Sequence, residues 1–129
     1  MNFFNAKLVR SNGGLTVDAG EFHVPVPQDR LPVYEKYEGK DIIMGIRPED
    51  IHDPNFTPPN IKPADVETNV EVTELMGNEI YLHMKTGNDL FVGRVDPRTT
   101  AVMGAPFKVV FNMDNMHLFE VEGNQVAIR

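Results

Sequence analysis

The chain has 129 residues, 41% hydrophobic and 24% charged, with a net charge of -7 and no cysteine; this suits one domain with a real core. It excludes disulfide and thiol chemistry and, with no apolar run long enough to span a bilayer, a transmembrane helix. The acidic charge is spread over both halves without a basic stripe, which works against binding a phosphate backbone.

Taken in order, the elements are mostly strands. Phe3–Arg10 is an apolar and mixed segment ending in Ser11-Asn12-Gly13-Gly14, a turn signal. Leu15–Asp18 and Phe22–Val26 form a hairpin around Ala19-Gly20, with Pro25 and Pro27 confining the second strand to an edge. Asp29–Glu38 is the one predicted helix, capped by Asp29, carrying Pro32 in its first turn and ended by Gly39. Asp41–Ile46 is a strand, and Arg47-Pro48-Glu49-Asp50-Ile51 is a turn or a single helical turn started by proline. Residues 52–65 carry Pro54, Pro58, Pro59 and Pro63 and read as an extended surface loop.

The second half alternates more cleanly. Val66, Val70, Val72 and Leu75 belong to a long strand that ends at Met76-Gly77-Asn78. Ile80, Leu82 and Met84 then face one way, and Tyr81, His83 and Lys85 the other. Gly87-Asn88 turns the chain into Leu90–Val95, and Asp96–Thr100 is another turn. Strands are also predicted at Pro106–Met113, Met116–Val121 and Gln125–Ile128. Short strands at near-regular spacing favour a barrel or sandwich over βαβ units.

Signals for chemistry are sparse. No G-x-x-x-x-G-K-[ST] loop is present to hold nucleotide phosphates. His23, His52, His83 and His117 lack metal-ligand spacing. The carboxylate pairs Glu49/Asp50 and Glu71/Glu74 read as turn and surface charge rather than as a general acid and base. Asp114-Asn115 lacks the rest of a calcium loop. Phe3, Phe4, Phe91, Phe107, Phe111 and Phe119 are read as core residues, the alternative being stacking platforms.

Met44-Gly45-Ile46-Arg47-Pro48-Glu49-Asp50-Ile51 resembles the G-I-R-P-E-[DH] signature of the regulatory domain in sugar-importer ATPases of the maltose-transporter type. Other stretches resemble that family in the same order. They are Met1-Asn2-Phe3-Phe4, Tyr37-Glu38-Gly39-Lys40, Val72–Leu82 with Glu74, Gly77 and Glu79, Phe91–Thr99, and Asn112–Phe119. The chain departs from the family's closing F-D-P-E-T-G at Phe119-Glu120-Val121-Glu122-Gly123-Asn124.

The resemblance implies an all-β, OB-like barrel (a TOBE domain) with one short helix, here one domain over residues 1–129 with the ATPase half outside it. It implies no catalytic, cofactor or metal residues in this stretch, ATP and magnesium belonging to the ATPase half. Homodimerisation, docking to the ATPase domain and membrane subunits, and docking of regulatory proteins are implied as well. So is a cytoplasmic place at the inner face of the membrane, reached only through other subunits. Related barrels that bind oxyanions, and OB modules that bind nucleic acid, are the alternatives.

The signature also has a physical reading as architecture. Pro48 forces Arg47 into extended geometry and ends the strand. Gly45 allows close approach. Arg47 has a fork of donors for a carboxylate or carbonyls, with Glu49 and Asp50 as candidate partners.

Overall fold

In the computed structural model, which describes residues 1–121, tight turns set the first pairings. Asn12 and Gly13 both have positive φ, 46° and 79°, the backbone that a two-residue hairpin turn requires. They join β1 (Asn2–Ser11) to β2 (Gly14–Asp18), with Ser11 opposite Gly14. β3 (His23–Pro25) pairs with β2 and lies at the sheet edge, where its proline costs no ladder bond. β4 (Asp41–Ile46) pairs with the other side of β1, and β10 (His117–Glu120) pairs with β4. The first sheet therefore runs β10-β4-β1-β2-β3.

The second sheet is built on β6 (Pro63–Met76), the longest strand. β7 (Glu79–Thr86) and β8 (Asp89–Val95) follow it as a meander, β9 (Pro106–Asn112) lies on its other side, and β5 (Ile51–His52) pairs with β9. All these pairings are antiparallel, and the order is β5-β9-β6-β7-β8. Ile80, Leu82 and Met84 face inward as the alternation requires, and Leu82 and Met84 are fully buried.

Three features curl the two sheets around one core. Four phenylalanines meet edge to face: Phe4 with Phe22 and Phe91, and Phe111 with Phe22 and Phe91, at centroid separations of 5.1–5.9 Å. Gly93 lets Ile51 lie against β8, since a Cβ there would stand 2.9 Å from the Ile51 Cγ2. Asn2 supplies a side-chain substitute for a missing strand. Its Nδ2 donates to the Val92 carbonyl at 2.8 Å, and its Oδ1 accepts from the Val92 N–H at 2.8 Å. That satisfies both backbone groups of Val92 on the edge strand β8 and joins β1 to the second sheet.

The architecture is the all-β, OB-like curl with one short helix that the sequence implied, with local differences. Asp29 does not cap the helix. α1 covers only Leu31–Tyr34, between 3-10 turns at Gln28–Arg30 and Glu35–Tyr37, and has no side-chain cap. Lys62 draws the Asp29 carboxylate away at 2.8 Å, while Arg30 donates to the Met116 carbonyl at 2.6 Å and to that of Asp114. Residues 52–65 are more ordered than a surface loop. Pro54–Phe56 forms a 3-10 turn, and β6 already starts at Pro63, a strand-start position that proline tolerates. Phe4, Phe91 and Phe111 are core residues, whereas Phe3 is exposed. The strand expected at Gln125–Ile128 lies outside the described residues.

Candidate interaction surfaces

The signature stretch ends β4 as expected of a pre-proline residue: Arg47 has φ -82° and ψ 152°, and Pro48 starts a 3-10 turn over Pro48–Asp50. The forked bond expected of Arg47 is not made, for its side chain is exposed and bonds to no described residue. Glu49 is exposed too. The buried member is Asp50, whose Oδ1 accepts from Asn115 Nδ2 at 2.8 Å. His52 follows on β5, and burial lowers its pKa against the opposing pull of Asp50.

A second polar network was not legible in the sequence. Asp53 is 1% exposed. One oxygen accepts from the Asn55 N–H at 2.8 Å, capping the Pro54–Phe56 turn, and the other accepts from Thr99 Oγ1 at 2.5 Å. Asp96 accepts from the backbone and guanidinium of Arg98. That bonding lowers the Asp96 pKa, and the same guanidinium lies 4.4 Å over the Phe56 ring. The Asp96–Thr99 turn thus fastens the proline-rich segment. Only Pro54 after Asp53, a proline at the first helical position behind a capping acid, signalled it.

Gly45 marks an apolar surface on the outer face of the first sheet. An added Cβ would stand 2.7 Å from the Met1 Sδ and 2.9 Å from Phe119 Cε2, so only glycine lets those side chains lie flat on the backbone. Phe3 is 60% exposed and meets Phe119 edge to face at 5.9 Å. Met1 is 43% exposed beside them. β4, which carries Gly45, is bonded to β1 on one side and to β10 on the other. Over that strand the face therefore presents side chains.

The second surface is the β6–β7 hairpin. Gly77 has φ +65° at its tip, where Met76 stands opposite Glu79. A bulge at Glu71 shifts the register between Val70 and Val72, and every β6 residue from Glu71 to Met76 is exposed. Glu74 pairs with His83 at 3.2 Å and Glu79 with Arg94 at 3.3 Å. Tyr81 bonding raises the Arg94 pKa further. Glu74, Gly77 and Glu79 thus build the arm and its turn, and Arg94, the partner of Glu79, lies within electrostatic reach of Glu49 in the signature turn.

Among the described residues, no three His, Asp or Glu side chains gather to hold a metal, and no helix is long and apolar enough to cross a membrane. One open cleft, lined by Asn69, Val70, Glu71, Lys85, Gly87 and Gly104, sets a single cation against a carboxylate. Another, at Tyr37, Lys40, Asp41 and Glu120, is crossed by a 2.6 Å bond from the Tyr37 hydroxyl to Glu120, which raises the tyrosine pKa.

Residues 1–51 match the family model described as the MalK OB fold domain. Over those residues the chain resembles the MalK-type OB fold. This domain is 36% identical over 131 residues to the oligosaccharides import ATP-binding protein MsmX of Bacillus subtilis (strain 168), covering 100% of the chain and 34% of that relative. It is 34% identical over 123 residues to the trehalose/maltose import ATP-binding protein MalK of Thermococcus litoralis, covering 93% and 32%. The chain thus spans about a third of the length of the curated relatives it matches. Its fold is also that of the cytoplasmic molybdate-binding protein ModG, solved with molybdate bound. The TM-score is 0.62 at 14% identity, covering 91% of this chain and 94% of the other.

Proposed function

We propose that this chain is a regulatory and dimerisation module of the ATP-binding subunit of a carbohydrate-importing ABC transporter, non-catalytic in itself. The match along the whole chain to sugar-import ATP-binding subunits supports the assignment. The observation that carries the dimer is the Met1–Phe3–Phe119 surface laid over Gly45. Exposed apolar groups fixed on a rigid sheet suit a closed two-fold contact, the commonest symmetric solution. ATP and magnesium are then the business of an ATPase domain, which this domain braces. The membrane is reached only through the transporter's membrane subunits, from the cytoplasmic side. Regulatory proteins are further partners of this module.

The signature from Gly45 to Asp50 is architecture in this reading. Gly45 makes room for the surface, Pro48 ends the strand, and Asp50 anchors the turn to Asn115. An oxyanion site is disfavoured, since the Lys85 cleft sets its single cation beside the carboxylate of Glu71. A nucleic-acid face is disfavoured by the net charge of -7.

Self-association of the isolated domain is weak. In a transporter, other subunits would hold two copies together at effective concentrations toward the millimolar range, so the contact need not be tight alone. The like net charge opposes pairing, and moderate salt screens it. Sedimentation velocity over a hundred-fold concentration range should show a monomer–dimer equilibrium moving toward dimer with concentration and salt. A strictly monomeric species throughout refutes the dimer.

A further inference from the structure

The pairing of β6 is lopsided. β9 accompanies it only as far as Asn69, opposite Pro106. The loop before β9 then closes the next position, with the Val70 N–H donating to the Ala105 carbonyl at 3.0 Å and the Gly104 N–H donating to the Val70 carbonyl at 2.7 Å. Gly104, with φ +85°, turns the chain away, and Pro106 has no N–H to extend the ladder. From Val72 to Met76, β6 is paired with β7 alone among the described residues, and Glu71 is the bulge residue without a partner. One side of this six-residue segment is an open strand edge.

An open edge is a template for another strand unless something blunts it. Here the edge is equipped to hold one. Leu75 is 70% exposed, Met76 and Val72 are also largely exposed, and Met103 stands exposed at its foot beside Gly104. No proline interrupts residues 71–76. The charge then selects the partner. Residues 71–80 contain no lysine or arginine, and Glu71 and Glu74 lie on the open segment; Glu74 meets His83, and Glu79 on β7 is paired with Arg94. A second copy of the same edge would set like carboxylates against each other, which opposes strand pairing, whereas basic side chains opposite them favour it.

We propose that the open edge of β6, Glu71–Met76, receives an extended basic segment of a partner protein as an added strand, with backbone bonds giving affinity and the carboxylates giving selectivity. The site is separate from the apolar face of the first sheet, and the proposal stands whether or not that face dimerises.

The probe is an acetylated, fluorescent hexapeptide of alternating lysine and valine, titrated into the 129-residue chain by anisotropy. Saturable binding is expected, together with at least tenfold slower hydrogen exchange at amides within 71–76. N-methylation of alternate peptide nitrogens should weaken binding at least tenfold, and so should the double variant Glu71→Lys/Glu74→Lys. A peptide of alternating glutamate and valine should not bind. The variant side chains are exposed, and a Leu75→Lys variant provides a second check on the same edge. Absence of saturable binding overturns the proposal. So does equal binding of the N-methylated peptide, which would reduce the effect to charge attraction. Concentration-dependent self-association that Leu75→Lys abolishes would make a second copy the occupant and overturn it likewise.

Discussion

The outer face of the first sheet and the β6–β7 arm both expose large apolar side chains, but they offer a partner different things. Between Phe3 and Phe119 the strand beneath is β4, bonded to β1 on one side and to β10 on the other, so a partner laid on that face meets side chains over a fixed floor. On the arm, the strand past Val70 has lost its neighbour, so backbone groups are on offer as well, within an acidic rim. Exposed apolar area alone does not distinguish the two. The hydrogen bonding of the strand beneath does, and it is the ground on which the first is proposed to meet a matching flat face and the second an extended segment.

The largest effect is expected where both surfaces share support. Asn2 points inward from the strand that carries Phe3, and it holds β8 beside the arm. Asn2→Ala leaves the Val92 N–H and carbonyl without their partner, and should cost about 2 kcal/mol, which lowers the melting temperature by roughly 5–10 °C. Asn2→Asp, which keeps the acceptor, should fall in between. Thermal unfolding by circular dichroism measures both.

Gly77→Val comes next and acts on the arm alone. A β-branched residue at φ +65° should cost about 1–2 kcal/mol. The loss should appear in a melting curve and as faster amide exchange confined to residues 71–84, while association through the first sheet is unchanged. Phe3→Ser does the reverse. Phe3 is mostly exposed, so folding should change little, but the dimer dissociation constant should rise about tenfold, a loss of about 1.4 kcal/mol.

Smaller still is the pH effect at His52, at the far end of the signature from Gly45. Burial depresses its folded-state pKa below the ordinary value, so near the ordinary histidine pKa of about 6.5 the unfolded chain binds more protons. Stability therefore falls as pH drops through that range and is fully present above it. Urea melts at several pH values should show this slope, and His52→Gln should flatten it. Arg47→Ala should be smallest, within about 0.5 kcal/mol, because the side chain is exposed and bonds to no described residue.

What was legible in the sequence was local. Alternation marked the inward face of β7, and Asn12-Gly13 and Gly77-Asn78 marked turns whose positive φ the structure contains. What was illegible depended on partners far along the chain. Asn2 reaches Val92 across 90 residues, Asp53 meets Thr99 across 46, and Asp29 leaves its expected capping role for Lys62, 33 residues on. The Glu71 bulge and the early end of β9 leave no pattern of their own, since Val72 and Leu75 look like core residues until the strand beside them stops. Phe3 was read as core for a related reason: an apolar residue on an outward register position has the same identity as one facing in.

The account turns on which surface pairs two copies of the chain. The absence of native cysteine allows a direct comparison. Asn5→Cys places a thiol on the outer face of β1 next to Phe3, and Leu75→Cys places one on the arm; both positions are exposed. With each variant at the same high concentration under mild oxidation, the account predicts a cross-linked dimer for Asn5→Cys that Phe3→Ser suppresses, and monomer for Leu75→Cys. Cross-linking through Leu75→Cys with none through Asn5→Cys would contradict it.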